Sequence, residues 1–409
     1  MKNSTKFDSD LKHKLKNHYQ DQLKHLKKKG YAIQKVPKHI KALRSEGEAY
    51  AVAYPIQGIL KYHGMADPLN RTAFFSSISL NNSSAKTVTY VKLNRNLRKD
   101  QLILDGEPVL ETDRRFERVK IQLDKIREFA KIEDSNALII SRNIQKMNKK
   151  IPKLKKVTGK GIGTSASAGA AIAEAMTCIL YDKNPKYTQN IQLKSHFARF
   201  LAGSASRSVA GGISIWLNHP KIEPKKSISV RLDRPSDREF IENISIITVS
   251  IPSDIKTENV HQTAAQSPFF PAWLEIRNKK INELIQALDS HNLEKLGQIA
   301  EYDTNCLHSV TMTAEKDKPF LLWEIETTQV VYKIRNLRTQ GIPIFYSIDT
   351  GPSVVIITEK RYQSRIVEEL REMNPTLNIL SGKIAGPSKI VSEQSKEAKT
   401  LQNDIKSVG

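Results

Sequence analysis

Two stretches of this chain combine residue types that can do chemistry. The first is FYSIDTGPSVVI, Phe345 to Ile356, where one carboxylate, Asp349, stands between an apolar run and a Thr-Gly-Pro turn, with a second apolar run directly behind it. The flanking runs are rich in β-branched and aromatic residues and predict two buried strands. An acid at the rim of a buried sheet is placed to move a proton or to stabilise a developing positive charge; an aspartate that merely starts a turn gives the same pattern. The second stretch is GKGIGTSASAG at 159–169. Here Gly161 and Gly163 let backbone N–H groups approach an anion, Thr164, Ser165 and Ser167 add hydroxyls, and Lys160 adds charge. The small-residue helix that follows turns its positive end toward the same spot. The stretch is neither a Walker loop nor a dinucleotide fingerprint, since no Gly-Lys-Ser/Thr closes it. Close packing of a helix on a sheet is the other reading of so many small residues.

Further segments give these two stretches a context: GILKYHGMAD (58–67), FFSSISL (74–80), LAGSASRSVAGG (201–212) and QTAAQSPFFPAWLEI (262–276). With GIGTSAS and SIDTGPSV, they resemble the motifs of the GHMP kinase superfamily and, within it, of the diphosphomevalonate decarboxylase family, over about residues 50–385. The resemblance implies a two-lobed α+β fold with mixed and antiparallel sheets and a carboxy-lyase activity on a phosphorylated mevalonate. It makes Asp349 the catalytic carboxylate and Lys61 the cation that keeps it ionised and contacts the leaving phosphate. It makes Arg207 the group that orients the substrate carboxylate, and Tyr62, Ser204, Ser206 and Ser208 substrate-binding residues. The loop Lys160, Gly161, Gly163, Thr164, Ser165 and Ser167 becomes a phosphate site.

The departures from the family pattern carry information as well. His63 replaces a tryptophan, Met65 replaces the second lysine of the K-Y-W-G-K motif, and SDIKTENVHQ (253–262) replaces an arginine-serine-glycine segment. In the family these positions help to hold the outer charge of a 5-diphosphate, so losing a cation there implies a 5-monophosphate. The lysine-rich approach IPKLKKVTGK (151–160) also departs from the family's N-x-P-T-A-A-G. Together with the length and the basic extension, these changes direct the reading to the archaeal branch that decarboxylates mevalonate 3,5-bisphosphate to isopentenyl phosphate with no ATP, no other cofactor and no metal. An ATP-dependent diphosphomevalonate or phosphomevalonate decarboxylase is the alternative. A kinase of the superfamily is disfavoured by Asp349.

These residues need a scaffold, and 409 residues suffice for two lobes. The expected order is a basic helical extension (1–48), a first lobe with the phosphate loop (49–230), a second lobe (231–387) and a polar tail (388–409). The formal charge is +22, and the first 45 residues hold thirteen lysines and arginines against three aspartates. There Phe7, Leu11, Leu15, Tyr19, Leu23 and Leu26 recur at helical spacing, so the expected helix lays an apolar stripe on the body and turns its lysines to solvent. Charge alone would also suit a nucleic acid; the motifs favour a small polyanion. No apolar run of about 18 residues and no secretory pattern is present, so a cytoplasmic enzyme is expected, with a homodimer left open. Cys178 and Cys306 form no metal-ligand spacing, and one bridge between them is the only disulfide open to the chain.

Overall fold

In β1 (Gly47–Ala53) and β6 (Ala85–Asn94) successive side chains point to opposite faces of a sheet. Ala49, Ala51, Val91 and Leu93 enter one core, while Tyr50, Val52, Val88 and Tyr90 enter another. Sequence alternation thus becomes a sheet buried on both faces. The computed structural model describes residues 9–145, 163–252, 261–315 and 321–407. These two strands lie inside a six-stranded sheet of order β16 (Lys389–Val391), β1, β6, β9 (Asn136–Gln145), β7 (Gln101–Leu104) and β8 (Glu107–Pro108). The amphipathic helix Arg114–Ala130 and the small-residue helix Thr164–Leu180 cover one face.

The other face is covered by the end of the chain. Residues expected to form a polar tail instead return to the first lobe: β16 pairs with β1, and Ala398 and Leu401 are buried beneath the sheet. Arg142 to Asp404 at 2.5 Å and Lys86 to Glu397 at 2.9 Å anchor them. The reason lies in a few apolar residues spaced among the charges, enough to cover Tyr50 and Val88 but too sparse to announce an element.

Two further sheets enclose the central core. One has the order β11 (Ser229–Arg231), β10 (Ile213–Trp216), β5 (Ser77–Asn81) and β2 (Ile56–Leu60), and the other β13 (Ile344–Ser347), β14 (Val354–Glu359), β12 (Ile244–Ser250) and β15 (Asn378–Lys383). Ile59, Ile78 and Ile215 of the first meet Ile246, Val355 and Ile357 of the second around Ile281 and Leu284 of the helix Phe270–Asp289 and Leu296 and Ile299 of the helix Leu293–Thr313. A short ribbon, β3 (Met65–Asp67) with β4 (Thr72–Ala73), follows β2. The mixed α+β, two-lobed architecture expected from the sequence is what the chain adopts.

From Ser9 onward the basic extension folds as its periodicity predicts; Phe7 of the expected stripe lies outside the described residues. Helix Ser9–Lys28 buries Leu15, Tyr19 and Leu26 and exposes Lys14, Lys16, Lys24, Lys27 and Lys28. Each buried leucine stabilises this docking by about 1.5–3 kcal/mol. Tyr19 donates to the Lys226 carbonyl at 3.2 Å and Gln22 to Asn278 at 3.0 Å, so the helix straps both lobes. No helix among the described residues is long and apolar enough to cross a membrane. Cys178 and Cys306, the one pair open to bridging, are not bridged: both are free thiols, Cys178 in the core of the first lobe and Cys306 beside the Phe270–Trp273 cluster of the second.

Candidate active site

Strand β2 delivers the first chemical residue. Its register against β5 shifts between Gly58 and Leu60, and beyond that irregularity the chain turns Lys61 fully inward, at 1% exposure. A buried ammonium needs partners for its three N–H bonds. The Lys61 Nζ donates to the Gly58 carbonyl at 2.8 Å and to Ser347 Oγ, and lies 3.3 Å from Asp349 Oδ1. Burial lowers the Lys61 pKa from the ordinary lysine value, while Asp349 and Asp303 pull it back. With all three directions occupied inside the protein, Lys61 reaches a leaving phosphate only by giving up a partner. Its geometry suits setting a positive charge beside Asp349.

Asp349 arrives from the other lobe, at the turn between β13 and β14. It sits close to β2 because Gly58 has no side chain: a Cβ there would stand 3.0 Å from Asp349 Oδ1 and 3.1 Å from Lys61 Cγ. The Gly58 N–H points to Asp349 Oδ2 at 3.4 Å. The carboxylate keeps about a third of its surface open, so it can meet a substrate that Lys61 cannot.

Arg207 lies on the short helix Ala205–Ala210, fully buried against the ring of Trp216. It donates to Ser77 Oγ at 2.6 Å, while its Nε has no hydrogen-bond partner. Burial pushes its pKa down to about 10, opposed by the nearby charge of Asp349. A buried guanidinium with a spare donor is a natural anion site. Lys61, Arg207 and Arg277 thus bring three buried cations against the two carboxylates Asp349 and Asp303, an imbalance that an anionic substrate would offset.

The other expected residues divide by direction. Tyr62 is half-buried beside this centre, edge-on to Trp216 at 5.2 Å and stacked on His261 at 4.7 Å. Ser204 is half-exposed at the start of the Arg207 helix. Ser206 and Ser208 turn inward instead: Ser206 donates to the Ser195 carbonyl at 3.1 Å and Ser208 to that of Tyr54 at 2.6 Å. Lys160 and Gly161 lie outside the described residues. Gly163 takes a left-handed conformation, φ +73°, at the start of the helix Thr164–Leu180, with Thr164 half-buried and Ser165 exposed there. Ser167 is buried against the sheet, bonded to Thr87 Oγ1 at 2.6 Å. A Cβ on Gly163 would stand 2.9 Å from the Ile56 carbonyl. Ile56 and Gly58 are two residues apart on β2, so about 7 Å of extended chain separates the helix start from the strand position that Asp349 touches.

Sequence reasoning missed the groups behind this pair. Ser347 Oγ accepts from Lys61 Nζ and from Gln57 at 2.9 Å and donates to the Gly58 carbonyl. Ser347 was two positions from Asp349 in the same motif, so alternation along the strand could have flagged it. Asp303 and Arg277 carried no such signal; each sits in an ordinary amphipathic helix.

Comparisons with known proteins bear on the family. Family models described as the diphosphomevalonate decarboxylase-like N-terminal domain and the mevalonate 5-diphosphate decarboxylase C-terminal domain match residues 53–229 and 252–408. The chain belongs to the diphosphomevalonate decarboxylase family. It is an enzyme, a decarboxylase of the mevalonate pathway. Phosphomevalonate decarboxylase of Haloferax volcanii is 28% identical over 85% of this chain and 98% of its own length. Mevalonate 3,5-bisphosphate decarboxylase of Thermoplasma acidophilum is 25% identical over 85% of this chain and 78% of its own length. The crystal structure of mevalonate diphosphate decarboxylase from Staphylococcus aureus superimposes with a TM-score of 0.74 at 26% identity, covering 85% of this chain and 98% of that one.

Proposed function

We propose that this decarboxylase acts on mevalonate 3,5-bisphosphate, releasing phosphate and carbon dioxide to leave isopentenyl phosphate, without ATP. The observation that carries the single phosphate at the fifth carbon is the neutral edge of the site. His63 is buried, and burial holds its imidazole well below the ordinary histidine pKa, so it is uncharged at neutral pH. Its Nδ1 lies 3.1 Å from that of His261, and the thioether of Met65 stands where the family carries a lysine. Such an edge supports less negative charge than a diphosphate brings.

The chemistry follows from charge. As phosphate leaves the third carbon, positive charge develops there and negative charge grows on the departing oxygens. Asp349, with Lys61 beside it, faces the positive centre. Arg207 holds the substrate carboxylate, whose C–C bond then breaks to give carbon dioxide while its electron pair forms the new double bond. The helix start at Gly163–Ser165 takes the phosphate on the third carbon, with no nucleotide required to supply it.

A second reading keeps the 5-monophosphate but has ATP supply the phosphoryl group to 5-phosphomevalonate. The identity to the Haloferax protein over almost its whole length favours it, as does the phosphate-ready helix start. Comparing kcat/KM for 3,5-bisphosphate, 5-phosphate with ATP, and 5-diphosphate with ATP tests both. The proposal expects turnover of the bisphosphate alone; efficient use of the 5-diphosphate would refute the monophosphate assignment.

A further inference from the structure

Lys61 is held from behind as well as in front. Its backbone N–H donates to Asp303 Oδ2 at 2.5 Å, and its carbonyl accepts from Arg277 Nη2 at 3.1 Å. Arg277 and Asp303 are themselves paired, Nη1 to Oδ1, and both are buried. Trp273 Nε1 donates to the same Asp303 oxygen at 2.9 Å. Arg277 reaches the Ser76 carbonyl at 3.3 Å and lies over the rings of Phe75 and Trp273, 4.5 and 5.2 Å from their centroids.

A buried ion pair is a poor way to gain stability, because desolvating two charges offsets most of their attraction and apolar side chains of equal size do as well. Here each member also bonds the main chain of one residue, Lys61. The two helices that carry the pair precede β13 and Asp349 in sequence, with the helix Ile325–Thr339 between, and pack in the core shared by both lobes, whereas Lys61 directly follows β2. We infer that Arg277 and Asp303 are positioning residues: a clamp that fixes the backbone of Lys61 across the lobe boundary and thereby sets its distance to Asp349. They touch no substrate and act only through the lysine. The inference rests on the decarboxylase reading of Asp349 and Lys61 and adds to it the device that holds the pair in register.

A double-mutant cycle tests this, run with whichever phosphorylated mevalonate the wild-type enzyme decarboxylates, so that wild-type turnover stands independently of the outcome. Asp303→Asn keeps the shape but removes the charge that grips Arg277, and a shift of about 1 Å in a reacting pair costs about 100-fold in kcat. The clamp predicts that loss with KM changed by less than about threefold, and almost no further loss when Asp303→Asn is added to Lys61→Met, since the group being positioned is already gone. Equal losses in both backgrounds would mean that Asp303 acts on stability or on another group, and would overturn the inference. Should Asp303→Asn not fold, Trp273→Phe, which deletes one hydrogen bond to the same carboxylate, enters the same cycle with an expected loss of about tenfold.

Discussion

The two ends of the site are built on opposite principles. At the Asp349 end the charges are fixed by the protein: Lys61 is shared among Gly58, Ser347 and Asp349, its main chain is tied to Arg277 and Asp303, and the Arg207 guanidinium keeps a spare donor. At the Tyr62 end, among the described residues, buried His63, its pKa held well below the ordinary value by burial, faces His261, and Met65 starts a short ribbon. The difference teaches where specificity and chemistry separate. In the proposed reaction, charges fixed before substrate arrives need no reorganisation when charge develops at the third carbon, and an edge of lower charge would limit how much phosphate the fifth carbon brings.

Breaking the charged end has the largest expected effect. Asp349→Asn keeps size and removes charge, and should lower kcat by about 1000-fold or more while the fold survives. Steady-state carbon dioxide release alongside a melting curve checks both halves of that statement. Arg207→Lys keeps the charge and loses the planar fork, with an expected fall of about 100-fold in kcat/KM. Gly58→Ala leaves every ionisable group in place but sets a methyl 3.0 Å from Asp349 Oδ1, so kcat should drop by about tenfold with the phosphate contacts, and hence KM, little changed. At the neutral end, Met65→Lys sharpens the contrast in the opposite sense. It should raise kcat/KM for a 5-diphosphate relative to a 5-monophosphate by about tenfold, measured as a ratio on one preparation.

A smaller effect concerns stability. Burial pushes the His308 pKa from the ordinary 6.5 down to about 3, with Lys61 acting in the same direction. Between those values the unfolded chain takes up a proton that the folded chain refuses, so stability is fully present above pH 6.5 and is lost as pH falls toward about 3. His308→Phe should flatten that part of the acid denaturation curve, followed by circular dichroism.

How far the sequence reached depends on the distance over which each residue acts. Asp349, Lys61 and Arg207 stand in local motifs, and the short segments around them carried enough pattern to be read together. The basic helix was legible because Leu15, Tyr19 and Leu26 repeat at its own period. Arg277 and Asp303 lie 216 and 242 positions from Lys61, and nothing local to their helices distinguishes them from solvated charges. Ser206 and Ser208 share a motif with Arg207, yet at the next positions of one helical turn their hydroxyls point into the core, a difference of direction that motif spacing does not encode. The chain end misled for a related reason: β16 is completed only by pairing with β1, more than 300 residues earlier.

Nucleotide-free turnover tests the central claim most directly. Purified protein is incubated with mevalonate 3,5-bisphosphate in the absence of any nucleotide, and carbon dioxide, inorganic phosphate and isopentenyl phosphate are quantified together, with parallel samples of the bisphosphate and of 5-phosphomevalonate given ATP and Mg²⁺. The account predicts the three products in equal amounts, at a rate that ATP does not raise and with no ADP formed. Carbon dioxide release that appears only with 5-phosphomevalonate and ATP, matched mole for mole by ADP, would contradict it.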